Sequence, residues 1–286
     1  MKSIIPIFIL FAFNAEASDS FINTHQHLIF NHIQETEDPN WVNAGILVNN
    51  RVPGHSTQYI IVETKPKVYE RIPLAQHEFE KNIALSVFEA TTGTGTSRGT
   101  AFLVGQDLVL TNMHILANKT KCLKFSIDLN HRSETVACKQ VEYCDPVEDF
   151  CLVRMNSLAS GKSIGEEVNP LTFTTETPIP EAIAFVIGNA YGVGIQSASH
   201  SGTKTHRSTI AHCVRVFSGN SGSPVIGESG NVLGIHHARG FMNGLECPKD
   251  RKMGLAVTSS KILKAIKDAK PEVYKELGFY RSSHTF

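Results

Sequence analysis

Short apolar runs follow one another from residue 83 onward, separated by glycine, asparagine and threonine. Each run has the length of a strand rather than of a helix, and long helical patterns do not alternate with them. The runs are Ile83–Phe88, Thr100–Val104, Leu108–Thr111, Leu123–Ile127, Phe150–Met155, Ala182–Ile187, Ile195–His200, Ala211–Phe217, Pro224–Ile226, Val232–His236 and Met253–Val257. This pattern predicts an all-β domain made of antiparallel barrels or a sandwich.

One helix is predicted near the end of the chain. Ile262, Leu263 and Ile266 form an apolar face with lysines on the other side, and Ser260 can cap the first turn. Pro271 begins a second short turn.

The first residues have the pattern of an export signal. Lys2 precedes the apolar stretch Ile4–Phe13, and Ala15-Glu16-Ala17 fits a cleavage site. The apolar stretch is too short to cross a bilayer, which needs about 20 residues. We therefore expect residues 1–17 to be removed from a secreted or periplasmic protein without stable membrane insertion.

The remainder divides into an extension and a main domain. Residues 18–76 contain two strand-like runs, Gly45–Val48 and Tyr59–Glu63, but no catalytic motif, and we expect an N-terminal extension or prosegment. Arg71-Ile72 is a candidate processing point. Residues 77–286 contain the remaining β-rich runs and form the expected main domain.

Charge and cysteine content narrow the possible partners. Lys plus Arg and Asp plus Glu each number 27, so no strong field is available to bind nucleic acid or an anionic membrane. The six cysteines contain no Cys-x-x-Cys pair, which disfavours zinc and redox chemistry, and no metal or cofactor is expected. After export the cysteines can form disulfides. Cys151 lies in an apolar run, and a buried thiol is the alternative there.

The densest chemical signal is Phe-Ser-Gly-Asn-Ser-Gly-Ser-Pro-Val, residues 217–225. Glycines on both sides of Ser221 permit a tight turn that brings two backbone N–H groups toward one point. A serine there can attack a carbonyl carbon while those donors receive the developing negative charge. An ordinary Gly/Ser loop between strands is the alternative.

Two other residues supply what a nucleophilic serine needs. A serine hydroxyl requires an adjacent base, and His114 follows the strand pattern Leu108–Thr111. Asp149 directly precedes the run Phe150–Met155, so its carboxylate can be partly shielded and can orient the imidazole. Singly, His114 is explained as a structural histidine and Asp149 as a turn residue. Together with Ser221 they indicate a catalytic triad.

These segments resemble the chymotrypsin-like serine peptidases, in particular the bacterial trypsin-like and glutamyl endopeptidases. The residues that carry the resemblance are Leu110-Thr111-Asn112-Met113-His114, Asp149-Phe150-Cys151-Leu152, Gly219-Asn220-Ser221-Gly222-Ser223-Pro224-Val225 and Leu233-Gly234-Ile235-His236. The resemblance covers residues 83 to 270. It implies two antiparallel six-stranded β-barrels with the triad in the cleft between them, followed by a C-terminal helix. It also implies a monomeric endopeptidase that acts on protein or peptide substrates.

The resemblance assigns roles around the serine. The backbone N–H groups of Gly219 and Ser221 would form the oxyanion hole. Digestive-type relatives carry an aspartate directly before the nucleophile and pair it with a newly freed N-terminus. This chain has Asn220 there, so that ion pair cannot form.

Two segments line the expected substrate pocket, Cys213–Ser218 and Ile235–Gly240. His236 matches the histidine that recognises acidic side chains in glutamyl endopeptidases, and Arg215 and Arg239 can add positive charge. Val216 stands where those relatives have Thr or Ser, which removes one hydroxyl donor. We expect a preference for Glu or Asp before the scissile bond, with small or apolar side chains as the competing possibility.

Six cysteines allow fifteen complete pairings, and spacing alone does not select among them. Cys213 and Cys247 flank the pocket and are expected to be bridged. Cys138 is expected to pair with Cys122 or Cys144.

Two other functions were weighed. A catalytically silent protein that uses the same fold for binding is disfavoured because all three triad candidates are present. An esterase of the α/β-hydrolase type requires Gly-x-Ser-x-Gly and the order serine, acid, histidine. Here His114 comes first and a strand follows Ser221, which excludes that class.

Overall fold

The computed structural model describes residues 44–48, 59–65, 68–73, 83–92, 97–116, 120–122, 124–129, 132–178, 183–190, 195–214, 216–245, 247 and 253–278. The expected export signal, residues 1–17, and Arg215 lie outside these residues, as does most of the expected extension.

The described residues form mostly strands. In chain order they are β1 Ala44–Val48, β2 Tyr59–Lys65, β3 Val68–Pro73, β4 Val87–Thr92, β5 Ser97–Leu103, β6 Leu108–Thr111, β7 Ser126–Leu129, β8 Glu134–Asp145, β9 Phe150–Met155, β10 Ile183–Gly188, β11 Gln196–Ser201, β12 Thr203–His206, β13 Thr209–His212, β14 Pro224–Gly227, β15 Val232–Gly240 and β16 Met253–Thr258. The α-helices are α1 Met113–Leu116, α2 Ser259–Ala269 and α3 Pro271–Tyr274, and Ile164–Glu166 forms a 3₁₀ turn.

Six antiparallel strands close the first barrel in the order β4-β5-β6-β9-β8-β7. Successive side chains of β5 and β6 point to opposite faces. Val109 packs inside the barrel, whereas Leu108 and Leu110 pack in a second cluster shared with the rest of the domain. Both faces are therefore buried, which is why β6 is an unbroken apolar run in the sequence.

The second unit is a ten-stranded sheet in the order β12-β13-β16-β15-β14-β10-β11-β1-β2-β3. β1 pairs with β11 in the register Ala44↔Ala198, and β2 and β3 continue the sheet outward. The Arg71-Ile72 bond lies inside β3. The all-β class and the first six-stranded barrel are confirmed. Within the described residues, the second unit differs from a six-stranded barrel: seven strands, β10–β16, form the sheet, and β1–β3 extend it at the β11 edge.

A shared apolar core joins the two units. Phe102 and Leu110 of the first barrel pack in one cluster with Ile235 of the second sheet and with Ile262 and Ile266 of α2. The predicted C-terminal helix is confirmed, and its apolar face closes one side of this core.

The cap of α2 corrects the sequence-based expectation of Ser260. β16 runs through Thr258, which has extended backbone angles, and α2 begins at Ser259. The Thr258 hydroxyl accepts a hydrogen bond from the backbone N–H of Lys261 at 3.3 Å. Thr258 is therefore the N-cap, and Ser260 lies in the first turn.

Three disulfides pair all six cysteines. The bridges Cys213–Cys247 and Cys122–Cys138 confirm two of the expected pairings. The third bridge joins Cys144 to Cys151. These two residues lie opposite each other in the β8–β9 register, so the alternative of a buried free thiol at Cys151 is wrong.

No helix among the described residues is long and apolar enough to cross a membrane.

Candidate active site

His114 lies in the single turn of helix that follows β6. Asn112 is fully buried at the end of the strand, and the N–H of Ile115 donates to the Asn112 carbonyl at 3.2 Å. Ile115 and Leu116 pack into the first barrel. The packing of these two side chains therefore holds the turn in place, while 45% of the His114 side chain is exposed.

Asp149 ends the tight turn between β8 and β9. The Asp145 carboxylate accepts hydrogen bonds from the N–H groups of Val147 and Glu148 at 2.9 and 3.1 Å. The Cys144–Cys151 bridge closes the base of the same hairpin. Asp149 has a φ of 55°, a left-handed conformation that is uncommon for a residue with a side chain. The hydrogen bonds of Asp145 and the disulfide therefore stabilise the turn in which Asp149 adopts this backbone conformation.

The structure brings His114 and Asp149 together. Nδ1 of His114 lies 2.6 Å from one carboxylate oxygen of Asp149, and the backbone N–H of His114 donates to the other at 3.0 Å. The Asn112 side-chain amide donates to the Asp149 carbonyl at 2.8 Å. Since a carboxylate only accepts hydrogen bonds, a proton on Nδ1 is favoured and Nε2 is left as the acceptor of a neutral imidazole.

Ser221 lies in the tight turn that the flanking glycines predicted. Gly219 and Gly222 have φ values of 95° and 85°, which glycine adopts without steric cost. A Cβ atom on Gly222 would clash with the Thr100 carbonyl and approach the Thr111 hydroxyl to 3.0 Å. The loop that carries Ser221, residues 217–223, is called the serine loop below. It therefore packs directly on the first barrel, beside β6, the strand that leads to His114.

Asn220 stabilises this loop from within. Its side-chain oxygen accepts from the N–H of Phe217 at 3.0 Å, and its own N–H donates to the Phe217 carbonyl at 3.1 Å. Asn220 is buried. The loop is therefore ordered by a local contact at the position where digestive-type relatives use an ion pair.

The residues expected to line the substrate pocket differ in their exposure to solvent. His236 is 3% exposed and Val216 is buried, whereas Arg239 is exposed. No hydrogen-bond partner for Nδ1 of His236 is found within the described part of the chain. Burial, followed by the charges of His212 and other nearby groups, holds the pKa of His236 well below its ordinary value. His236 is therefore neutral in the unliganded protein at physiological pH.

A second buried imidazole lies beside His236, and sequence reasoning missed it. The ring centroids of His212 and His236 are 5.5 Å apart, and burial lowers the pKa of His212 to about 4. The His212 ring lies against Gly254, its partner in the β13–β16 register, where any side chain would clash. The only sequence signal is an apolar run, Thr209–His212, that ends in a histidine.

The described residues contain no group of three or more His, Cys, Asp or Glu side chains suited to a metal ion.

Comparisons with known proteins support the fold and the class of enzyme. A family profile described as a trypsin-like peptidase domain matches residues 99–235. The glutamyl endopeptidase of Staphylococcus aureus strain MRSA252 is 28% identical over 159 residues, covering 52% of this chain and 44% of its own length. The same enzyme from strain MW2 is 27% identical, with 48% of its length covered. The chain therefore spans about half the length of the curated relatives that it matches.

Solved structures share the fold at low sequence identity. An inactive serine-to-alanine mutant of Rv3671c from Mycobacterium tuberculosis superposes with a TM-score of 0.53 at 19% identity, covering 70% of this chain and 93% of that one. A serine endoprotease from Yersinia pestis gives a TM-score of 0.54 at 13% identity, covering 69% and 67%. The matched domain, the two-unit β architecture and the similarity to glutamyl endopeptidases together support a chymotrypsin-like, or trypsin-like, serine peptidase.

Proposed function

We propose that this protein is a serine endopeptidase whose catalytic triad consists of Ser221, His114 and Asp149. The observation that carries the proposal is the two-point contact between His114 and Asp149. One hydrogen bond fixes the imidazole and the other fixes the backbone of the same histidine. A histidine that is merely structural needs neither a carboxylate in a left-handed turn nor a side chain that is 45% exposed.

The reaction proceeds through an acyl-enzyme. Ser221 Oγ attacks the scissile carbonyl carbon while Nε2 of His114 takes its proton, and His114 then protonates the leaving amine. The N–H groups of Gly219 and Ser221 stabilise the negative oxygen of the tetrahedral intermediate. Asp149 stabilises the imidazolium. Water, activated by His114, attacks the acyl-enzyme and releases the second product.

His236 is the proposed recognition residue for an acidic side chain before the scissile bond. A carboxylate that enters a buried pocket needs a hydrogen-bond donor to replace its lost hydration. A neutral imidazole supplies one N–H, and the bound carboxylate would raise the imidazole pKa and favour a second proton. The similarity to glutamyl endopeptidases supports this preference. Arg239 is exposed, and Val216 contributes no hydroxyl, so His236 carries the proposed selectivity alone among these described residues.

We propose that the protein acts outside the cytosol. Its proposed substrates are proteins or peptides. Three disulfides in a chain of this size are typical of secreted or periplasmic proteins, because cytosolic thiols are kept reduced. The protein would act as a monomer. Removal of residues 1–17 and of the segment before Ile72 is part of the same proposal, and the intact mass of the exported protein tests it.

An unbiased peptide library tests the proposal. The wild-type protein should cleave internal bonds with Glu or Asp enriched before the cut, and Ser221→Ala should cleave none of them. Cleavage that persists in Ser221→Ala would show that another residue or a contaminant is responsible. Cleavage without enrichment of Glu or Asp before the cut would support the proposed peptidase activity but contradict the proposed role of His236.

A further inference from the structure

Thr100 joins the first barrel to the serine loop at two points. It lies in β5 and is fully buried. Its backbone N–H donates to the Ser221 carbonyl at 2.8 Å, and its hydroxyl donates to the Gly219 carbonyl, also at 2.8 Å. The second contact joins residues 119 positions apart in the chain.

The direction of the Thr100–Gly219 hydrogen bond is fixed by a third partner. The backbone N–H of Asn189, at the end of β10, donates to the Thr100 hydroxyl oxygen at 2.9 Å. A hydroxyl group has one proton, and an N–H group can only donate. The Thr100 proton is therefore available for the Gly219 carbonyl, which can only accept.

The peptide unit between Gly219 and Asn220 is consequently held at both ends. Its oxygen accepts from Thr100, and its N–H donates to the Phe217 carbonyl at 3.1 Å. Gly219 has a φ of 95° and no side chain to restrict its rotation. The direction of the Gly219 N–H thus depends on how firmly the following peptide is held.

We propose that Thr100 is a positioning residue for the oxyanion hole, acting through its hydroxyl on the Gly219 carbonyl. The inference rests on the proposed function, in which the Gly219 N–H stabilises the tetrahedral intermediate. Thr100 does not contact the substrate in this scheme. It holds the donor in place before the reaction, so its loss should weaken binding of the transition state more than binding of the substrate.

The test compares Thr100→Val, which keeps the shape and removes the hydroxyl, with Thr100→Ser, which keeps the hydroxyl. Ser86→Ala is the matched control, because Ser86, in the turn directly before β4, is also fully buried and donates to a distant carbonyl, that of Asn169, at 2.5 Å. We measure kcat and KM on one cleaved peptide, and the affinities for a peptide boronate and for the corresponding product peptide.

Thr100→Val should lower kcat and boronate affinity by about 10- to 100-fold, less than the loss of a whole oxyanion donor. KM and product affinity should change by less than about threefold. Thr100→Ser should restore kcat to within about threefold of wild type. Ser86→Ala should lower the melting temperature and leave kcat per folded molecule unchanged.

Three results would overturn the inference: an unchanged kcat in Thr100→Val, equal losses of boronate and product affinity, or a Thr100→Ser variant as slow as Thr100→Val. If Thr100→Val does not fold, Thr100→Ala, which leaves room for water, is held to the same criteria. Failure of the proposed function looks different, since wild type would then be as inactive as Ser221→Ala, and the inference would fall with it.

Discussion

The carboxylate of Asp149 binds His114 twice, at 2.6 Å through Nδ1 and at 3.0 Å through the backbone N–H. The first contact sets the tautomer and orientation of the ring. The second ties the carboxylate to the main chain of the same residue, so the pair keeps its geometry even though the His114 side chain is 45% exposed. In the proposed mechanism, Nε2 is the ring nitrogen left to accept the proton of Ser221.

Asp149→Asn should lower kcat by about 10³- to 10⁴-fold, because the amide can present its NH₂ group to Nδ1 and stabilise the wrong tautomer. Steady-state kinetics on a peptide cleaved by the wild type measure the effect, and KM should change little.

Glu148→Gln is the control for this substitution. Glu148 precedes Asp149 in the same turn, and its carboxylate lies 3.3 Å from Lys261 rather than near the imidazole. Its kcat should stay within about threefold of wild type, as a surface ion pair contributes little. Equal effects of the two substitutions would contradict the assignment of Asp149.

Loss of the Cys144–Cys151 bridge should destabilise the hairpin that carries Asp149. The double variant Cys144→Ala/Cys151→Ala removes a cross-link over 7 residues, for which chain entropy predicts a loss of about 2–3 kcal/mol in the free energy of unfolding. Urea denaturation measures it. Because the bridge also holds the turn, kcat should fall while the Cys213–Cys247 bridge, mapped by non-reducing peptide analysis, stays intact. A variant as stable and as active as wild type would contradict this.

His236→Leu should abolish the preference for Glu or Asp by lowering kcat/KM for acidic substrates about 10- to 100-fold, since leucine has no hydrogen-bond donor for a buried carboxylate. Substrates with small apolar side chains should be cleaved at nearly the wild-type rate. His206→Leu, at an exposed position of β12, should leave both rates unchanged. An acidic preference retained in His236→Leu would assign recognition to another residue.

The buried imidazoles should make the fold sensitive to acid. The folded state keeps His212 neutral, with its pKa lowered to about 4, whereas the unfolded chain binds a proton below its ordinary pKa of about 6.5. The stability that His212 contributes is therefore complete above pH 6.5 and is lost as the pH falls toward 4, by at most about 1.4 kcal/mol per pH unit.

Urea denaturation between pH 7.5 and 4.5 measures this dependence, and the slope should be shallower in His212→Gln than in wild type. His236 contributes in the same direction, because burial also lowers its pKa. His206→Gln should keep the wild-type slope. A His212→Gln protein with an unchanged slope would show that the folded state admits a proton at this position.

The strands that the sequence predicted best are those buried on both faces. β6 and β9 match the predicted bounds, because each is a continuous apolar run of strand length. β8 was missed, since most of its side chains are polar and partly exposed, and pairing with β7 and β9 holds it in place. β12, Thr203–His206, was missed for the same reason.

The features of the candidate site also divide into those that local sequence motifs indicate and those that depend on tertiary packing. Ser221, His114 and Asp149 could be proposed from the sequence because their motifs are local and their order is that of a known family. The left-handed backbone of Asp149, the Cys144–Cys151 bridge and the contact between Thr100 and Gly219 depend on tertiary packing. No local pattern encodes which of several buried threonines reaches the serine loop, so those features required the structure.

Reaction with a fluorophosphonate probe tests the central claim most directly, because the probe attaches only to a serine that a neighbouring base has activated. Intact-mass and peptide analysis should find one probe per molecule, on Ser221, in the wild type. His114→Ala should slow labelling by about 10³-fold or more, and Ser221→Ala should abolish it. A correctly folded wild-type protein that is not labelled, or one labelled at another serine, would contradict the account.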